Sequence, residues 1–115
     1  MKYNQKLYLI SRRDLKPGAQ AVQACHAFRE FIARHPDLER EWYEKSNHVC
    51  FLSVASEKEL VAIMQAAIER KFRWASFQEP AFDMAYTAVA LEPTDEVRDF
   101  CAALPLALTE YAEVD

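Results

Sequence analysis

His26 is the side chain in this sequence best suited to moving a proton, and it follows Gln23 by about one helical turn. An imidazole works as a general base when a carboxylate or carbonyl orients it. Asp14, Glu79 and Asp83 are the acids that a turn and a loop could bring to it. Arg12, Arg13 and Lys16 crowd the turn just ahead of the helix that carries Gln23 and His26. The first N–H groups of a helix lack partners within it, so a helix start facing a basic turn has the chemistry of an anion site. Gln23 and His26 lie within reach of that turn. The residues also allow a structural His26, packed on a helix flank and hydrogen-bonded to backbone.

Other chemistries fit less well. Cys25 and His26 are adjacent, so on a helix they diverge by about 100°. His48-x-Cys50 has nothing nearby to complete a tetrahedral zinc set. The spacing of Cys25 places it on an apolar face, which disfavours a nucleophile. Neither Gly-rich phosphate-binding fingerprint is present. Trp42, Tyr43, Trp74 and Phe77 could stack on bases, but their spacing suits core packing.

The elements that must position these groups follow from periodicity. Leu7–Ile10 is a short apolar run that suits a buried strand. Pro17-Gly18 ends it, and a helix opens at Ala19. Ala21, Cys25, Phe28 and Ile32 make one apolar helical face, with Gln20, Gln23, His26 and Glu30 on another. His35-Pro36-Asp37 interrupts the helix, because the residue before proline avoids helical angles. Residues 37–45 read as a short second helix, and 49–55 as an interior strand. Ser56 with Glu59 forms a capping box ahead of a helix bearing Leu60, Ile63, Met64, Ala67 and Ile68. Residues 72–77 and 84–91 read as strands joined by the loop 78–83. Thr94 caps a last helix with Val97, Phe100 and Cys101 on its apolar side. Pro105 ends or kinks that helix, and the tail past Ala107 is unpatterned.

The order β-α-α-β-α-β-β-α predicts an α/β layer fold: a small mixed sheet with helices on both faces and the last two strands antiparallel. Cys25, Phe28, Ile32, Leu60, Met64, Ile68, Val89 and Phe100 are expected to be largely buried. Gly18, the only glycine, is expected where the backbone needs its freedom.

The chain of 115 residues is expected to form one domain, with a core over about 6–104 and a tail at 105–115. Its net charge of −4 argues against strong non-specific nucleic-acid binding. The charge is uneven, however: residues 1–35 sum to +5 and residues 92–115 to −6. Cys25, Cys50 and Cys101 are expected to be buried free thiols in a reducing compartment. The N-terminus lacks a signal-peptide pattern, and no apolar run approaches the ~20 residues of a membrane span. The cytoplasm is the expected location, with no membrane partner.

The stretch Tyr8-Leu9-Ile10-Ser11-Arg12-Arg13-Asp14-Leu15, followed by Ala21-Val22-Gln23-Ala24-Cys25-His26-Ala27, resembles the type-2 peptidyl-tRNA hydrolase family. That family carries an Arg-x-Asp-Leu turn and then an Ala-Ala-Gln-x-x-His-Ala helix. Val49-Cys50-Phe51-Leu52, Ser56-Glu57-Lys58-Glu59-Leu60 and Thr87-Ala88-Val89-Ala90-Leu91-Glu92-Pro93 extend the likeness over roughly residues 6–104. The family's hydrolases place a lysine four residues before the motif glutamine, where this chain has Ala19. The loop Gln78-Glu79-Pro80-Ala81-Phe82-Asp83 lacks the family's usual Gly and Arg. The shortened turn and the Glu79-Pro80 loop look more like the divergent branch of peptidyl-tRNA hydrolase domain-containing proteins. The resemblance implies a mixed four-stranded sheet and hydrolysis of the ester between a peptide and tRNA, without a metal or organic cofactor. It implies His26, Gln23 and Glu79 as the catalytic set. Arg12, Arg13, Lys16 and Thr87 would bind substrate, with Lys16 able to stand in for the missing lysine. Expected partners are tRNA or peptidyl-tRNA and a second copy in a homodimer. Two rivals remain open on these residues: a non-catalytic RNA- or protein-binding module on the same fold, and a small-molecule hydrolase.

Overall fold

The computed structural model of the chain describes residues 5–109. In chain order its elements are β1 (Lys6–Arg12), α1 (Pro17–Arg34), α2 (Pro36–Lys45), β2 (His48–Val54), α3 (Glu57–Glu69), β3 (Trp74–Glu79), a 3-10 turn (Pro80–Phe82), β4 (Ala85–Leu91) and α4 (Asp95–Cys101). The strands form one sheet in the order β2-β1-β4-β3. β1 and β2 are parallel, while β4 runs antiparallel to both β1 and β3. The long passage through α1 and α2 allows the parallel pair, and the short β3–β4 connection the antiparallel one. The mixed sheet and element order are those expected from the sequence.

Alternation along the strands supplies two cores. Tyr8, Ile10, Leu52, Val54, Val89 and Leu91 face Leu60, Met64 and Ala67 of α3 and Val97 and Cys101 of α4. Leu7, Leu9, Ala75, Ala88 and Ala90 face Ala24, Ala27 and Phe31 of α1 and Trp42 of α2. The helices therefore cover both faces. Alanines on both α1 and the sheet allow a close approach of helix to strands.

Helix boundaries follow the expected caps. Ser56 Oγ accepts the Glu59 N–H, and Thr94 accepts that of Val97. His35, ahead of Pro36, leaves helical angles at φ −133° and ψ 58°, which separates α1 from α2. α1 begins two residues earlier than expected, at Pro17, a position proline tolerates. α4 stops at Cys101, short of Pro105. The segment after it pairs with β2: Ser53 N–H donates to Pro105 O at 3.0 Å and Ala107 N–H to Phe51 O at 2.9 Å. The end of the tail, residues 110–115, lies outside the described residues.

Five of the residues expected to be buried need correcting. α1 buries Gln20, Gln23, Ala24, Ala27 and Phe31. That face is rotated by one position from the expected one, leaving Cys25 exposed and Phe28 and Ile32 only partly buried. Alanine occurs all round this helix, so periodicity fixed its type but not its phase. In α3 the buried set Leu60, Met64 and Ala67 has i, i+4, i+7 spacing, and Ile68, the next residue, turns outward at 60% exposure. Phe100 is partly buried against Phe72. Leu60, Met64 and Val89 are buried as expected. Gly18 has no positive φ, and a Cβ there would meet nothing within 4 Å, so the fold does not require glycine at that position. The left-handed residues are instead Asn47, Lys71, Asp83, Met84 and Leu108.

Of the cysteines, Cys25 is exposed, Cys50 is half-buried and Cys101 is buried. Burial, reinforced by nearby Cys50, pushes the Cys101 thiol up to about 12. A thiol that stays protonated in the fold but ionises in the unfolded chain near its ordinary 9.0 weakens folding as pH climbs between those values. Melting temperature is expected to drop between pH 8 and pH 11, and Cys101→Val to reduce that drop. An equal drop in the variant would assign the alkaline loss to other groups.

No helix among the described residues is long and apolar enough to cross a membrane.

Candidate functional site

The first turns of α1 lie over one end of the sheet, where apolar strand positions give way to polar ones. Ser11 of β1 and Ser53 of β2 are register partners, and both are buried. Glu79 ends β3 and alternates with Ala75 and Phe77. β4 contributes through a bulge: Phe77 pairs with Ala88 and Gln78 with Tyr86, so Thr87 is an extra residue with no partner of its own. A bulge breaks strict alternation and re-aims a side chain. Tyr86 packs with the α3 face, whereas Thr87 turns toward α1 along with Ala88.

Gln23 closes this arrangement. Its Oε1 accepts the Thr87 hydroxyl at 2.6 Å, and its Nε2 donates to Glu79 Oε1 at 3.0 Å. A hydroxyl donor on one side and a carboxylate acceptor on the other fix which way the amide points. Thr87 is fully buried, and Gln23 is 3% exposed. The second Glu79 oxygen accepts the Ala81 N–H at 3.1 Å, capping the 3-10 turn. The Gln23 hydrogen bond, then the Ala81 N–H, and to a smaller extent the charge of His26 hold the Glu79 carboxyl below its ordinary range. It is therefore ionised at neutral pH.

His26 is exposed and stacks flat on Phe77, with ring centroids 4.2 Å apart and planes 12° from parallel. Among the described residues its ring nitrogens have no protein hydrogen-bond partner. Of the three acids considered for orienting it, Glu79 is the one that interacts with it. Asp14 is occupied by Arg12, and Asp83 is exposed in left-handed backbone beyond the 3-10 turn. Gln23 and His26 share a flank only partly: the amide points into the protein and the imidazole sits at the rim.

The basic turn divides. Arg12 is a strut: its Nε and Nη2 bind both Asp14 oxygens at 3.0 and 2.8 Å, and its Nη1 donates to Tyr86 O at 3.1 Å. That pairing lowers the Asp14 carboxyl, with the Arg12 hydrogen bond as the main cause. Arg13 and Lys16 are exposed and have no ion pair among the described residues. Arg13 Nη1 donates to Ser53 Oγ at 3.3 Å. Gln20, one turn before Gln23, donates to Leu15 O at 2.7 Å and faces Ser11 Oγ at 3.5 Å. Ser11, Ser53 and Gln20 were not legible as site residues, and Phe77 was considered only for base stacking or core packing. The one signal for the glutamines was their spacing, in phase with Ala24, Ala27 and Phe31. Among the described residues no group of three metal-type ligands converges.

These features define a small mixed α/β protein whose polar groups gather under the N-terminal half of one helix, with an ionised carboxylate and an imidazole at the opening. The family described as Peptidyl-tRNA hydrolase PTH2 matches residues 5–106 of the 115, and the chain belongs to that family. A comparison with curated proteins gave no match.

Proposed function

We propose that the protein hydrolyses the ester joining a peptide to the terminal ribose of a tRNA. The observation that carries this reading is the ionised Glu79, held by Gln23 and Ala81 beside an exposed His26 whose ring nitrogens bond to no protein group among the described residues. His26 takes a proton from water as the water oxygen attacks the ester carbonyl, while the Glu79 charge stabilises the imidazolium that forms. As the ester C–O bond breaks, the imidazolium returns the proton to the ribose oxygen. The products are free tRNA and the peptide's carboxylic acid, which loses its remaining proton to solvent as a carboxylate. Gln23 and Thr87 are positioning residues: both are buried, and their hydrogen bonds fix the orientation of Glu79. Arg13 and Lys16 supply charge for tRNA phosphates, and Arg12 acts through the turn it braces.

Purified protein mixed with peptidyl-tRNA is expected to release free tRNA. Glu79→Gln is expected to lower the rate by about 10²-fold, the usual scale for losing one electrostatic stabiliser. Unchanged release by this variant would remove Glu79 from the chemistry.

A non-catalytic RNA-binding module is the second reading, and Ala19 favours it. The residue at that position carries no charge, whereas the family's hydrolases place a lysine there. Retained tRNA binding with no release by the unmodified protein, where a lysine-bearing relative turns over, would decide for this reading.

A further inference from the structure

On the opposite side of α1 from Glu79, a crevice of about 200 Å³ opens between the turn after β1, the end of β2 and the segment that follows α4. Its polar wall is Arg13, Ser53 and Gln20, with Thr109 at the rim. Ser53 is 2% and Gln20 4% exposed, so these are built positions rather than surface side chains. Ser53 Oγ accepts from Arg13, which leaves its O–H free to donate. Gln20 Nε2 uses one N–H on Leu15 O, which leaves the second. The wall thus offers a guanidinium, a hydroxyl and an amide N–H, and among the described residues no carboxylate lines it. Several neutral donors around a guanidinium, with no opposing carboxylate among the described residues, favour an oxyanion.

The other wall is apolar: Leu15, Pro17, Leu106 and Leu108. Leu106 is held there by the pairing of its segment with β2, as the bridge partner of Leu52. Water occupies about 30 Å³ per molecule in the liquid, so the space exceeds what a single inorganic ion fills. Donors from three separate residues suit the three free oxygens of a phosphate monoester better than a planar carboxylate.

We propose that this crevice binds a phosphate ester, with the phosphate on Arg13, Ser53 and Gln20 and its organic substituent against Leu15, Pro17, Leu106 and Leu108. The site lies beside β2, whereas the Glu79 carboxylate ends β3 at the far edge of the sheet. It shares Arg13 with the tRNA-phosphate role proposed above but uses neither Glu79 nor His26, so ligand binding there is read apart from ester hydrolysis.

The test is a titration of the isotope-labelled protein followed by amide chemical shifts, with inorganic phosphate, phenyl phosphate and phenylacetate as probes. Phenyl phosphate is expected to shift Arg13, Ser53, Gln20 and residues 106–109, and to bind about tenfold more tightly than inorganic phosphate because its ring leaves water. Arg13→Gln is expected to weaken both phosphates about tenfold or more. Leu106→Ala, on an exposed position that cannot compromise the core, is expected to remove most of the preference for the ring while sparing inorganic phosphate. Competition by tRNA would identify an RNA phosphate as the source, and absence of competition a free small ester; both support the site. Equal affinity for phenylacetate, no preference for phenyl phosphate over phosphate, or shifts confined to the Glu79 side would overturn it. Hydrolysis is not read at all, so a protein that fails to cleave peptidyl-tRNA still answers the question.

Discussion

Replacing His26 by alanine is expected to lower peptidyl-tRNA hydrolysis by about 10²–10⁴-fold, the range for loss of a positioned general base. The fold should survive. A structural histidine would leave a buried partner unpaired when removed, at a cost of ~1–3 kcal/mol. His26 is exposed, and among the described residues its nitrogens bond to no other protein group. What the substitution removes is one face-to-face contact with the partly exposed Phe77. The two roles separate in one variant by measuring single-turnover release and thermal melting together. A large rate loss with a near-native melt assigns proton transfer to the imidazole. A near-native rate excludes that assignment and moves the proton to Glu79 or Lys16. A depressed melt with a proportionate loss of rate would mean that the stack on Phe77 holds α1 against β3.

The distribution of charge bears on the same variant. The Glu79 carboxyl is held below its ordinary range mainly by Gln23 and the Ala81 N–H, with the His26 charge as a smaller contribution. Removing His26 should leave the Glu79 hydrogen bonds in place, and rescue of the rate by added imidazole would point to the missing proton carrier rather than to a disturbed loop.

Element order and caps were open to reading because they depend on local chemistry. Ser56 and Thr94 cap the helices they were expected to cap, and Pro36 breaks the chain where proline geometry demands. The mixed sheet followed from connection lengths. What escaped was phase. β3 lies two residues later than expected, as Trp74–Glu79, which makes Glu79 a strand residue rather than a loop residue. Alternation with Phe77 then aims it at α1, a direction a loop assignment cannot supply. α1 was rotated by one position because glutamine counts as polar in any periodicity reading. Gln20 and Gln23 are buried because each amide finds partners: a serine and a backbone carbonyl for one, a threonine and a carboxylate for the other. Polar burial of that kind depends on groups distant in sequence, with Gln23 and Thr87 64 residues apart. The bulge at Thr87 is another such feature, since it exists only in the pairing of two strands. Family likeness pointed to Gln23, His26 and Thr87, but the division between rim and interior came from the fold.

That division makes Gln23 the position where stability and activity can be pulled apart. Gln23→Met keeps the length of the side chain and deletes both hydrogen bonds. The fully buried Thr87 hydroxyl then loses its 2.6 Å partner and retains only the weaker approach to Phe77 O at 3.4 Å. The expected cost is ~1–3 kcal/mol. Thr87→Val alone should cost a similar amount, because it strands the Gln23 oxygen. Together the two substitutions replace a polar pair by apolar groups of like shape, which is nearly neutral when both partners go. The double variant should therefore be more stable than the sum of the singles predicts, with a coupling of about 0.5–3 kcal/mol in denaturant titrations. Hydrolysis should not recover, because Glu79 has lost the donor that orients it. The acid limb supplies a third readout. A carboxyl held below its ordinary range adds stability that is present above the unfolded chain's value near 4.5 and disappears as pH falls through the lower folded value. Without the Gln23 donor, the largest cause of that lowering, both the single and the double variant should lose less stability on acidification than the unmodified protein. Additive costs with unchanged acid dependence would mean that Gln23, Thr87 and Glu79 do not act as one network. Recovery of hydrolysis in the double variant would show that the amide had only a packing role.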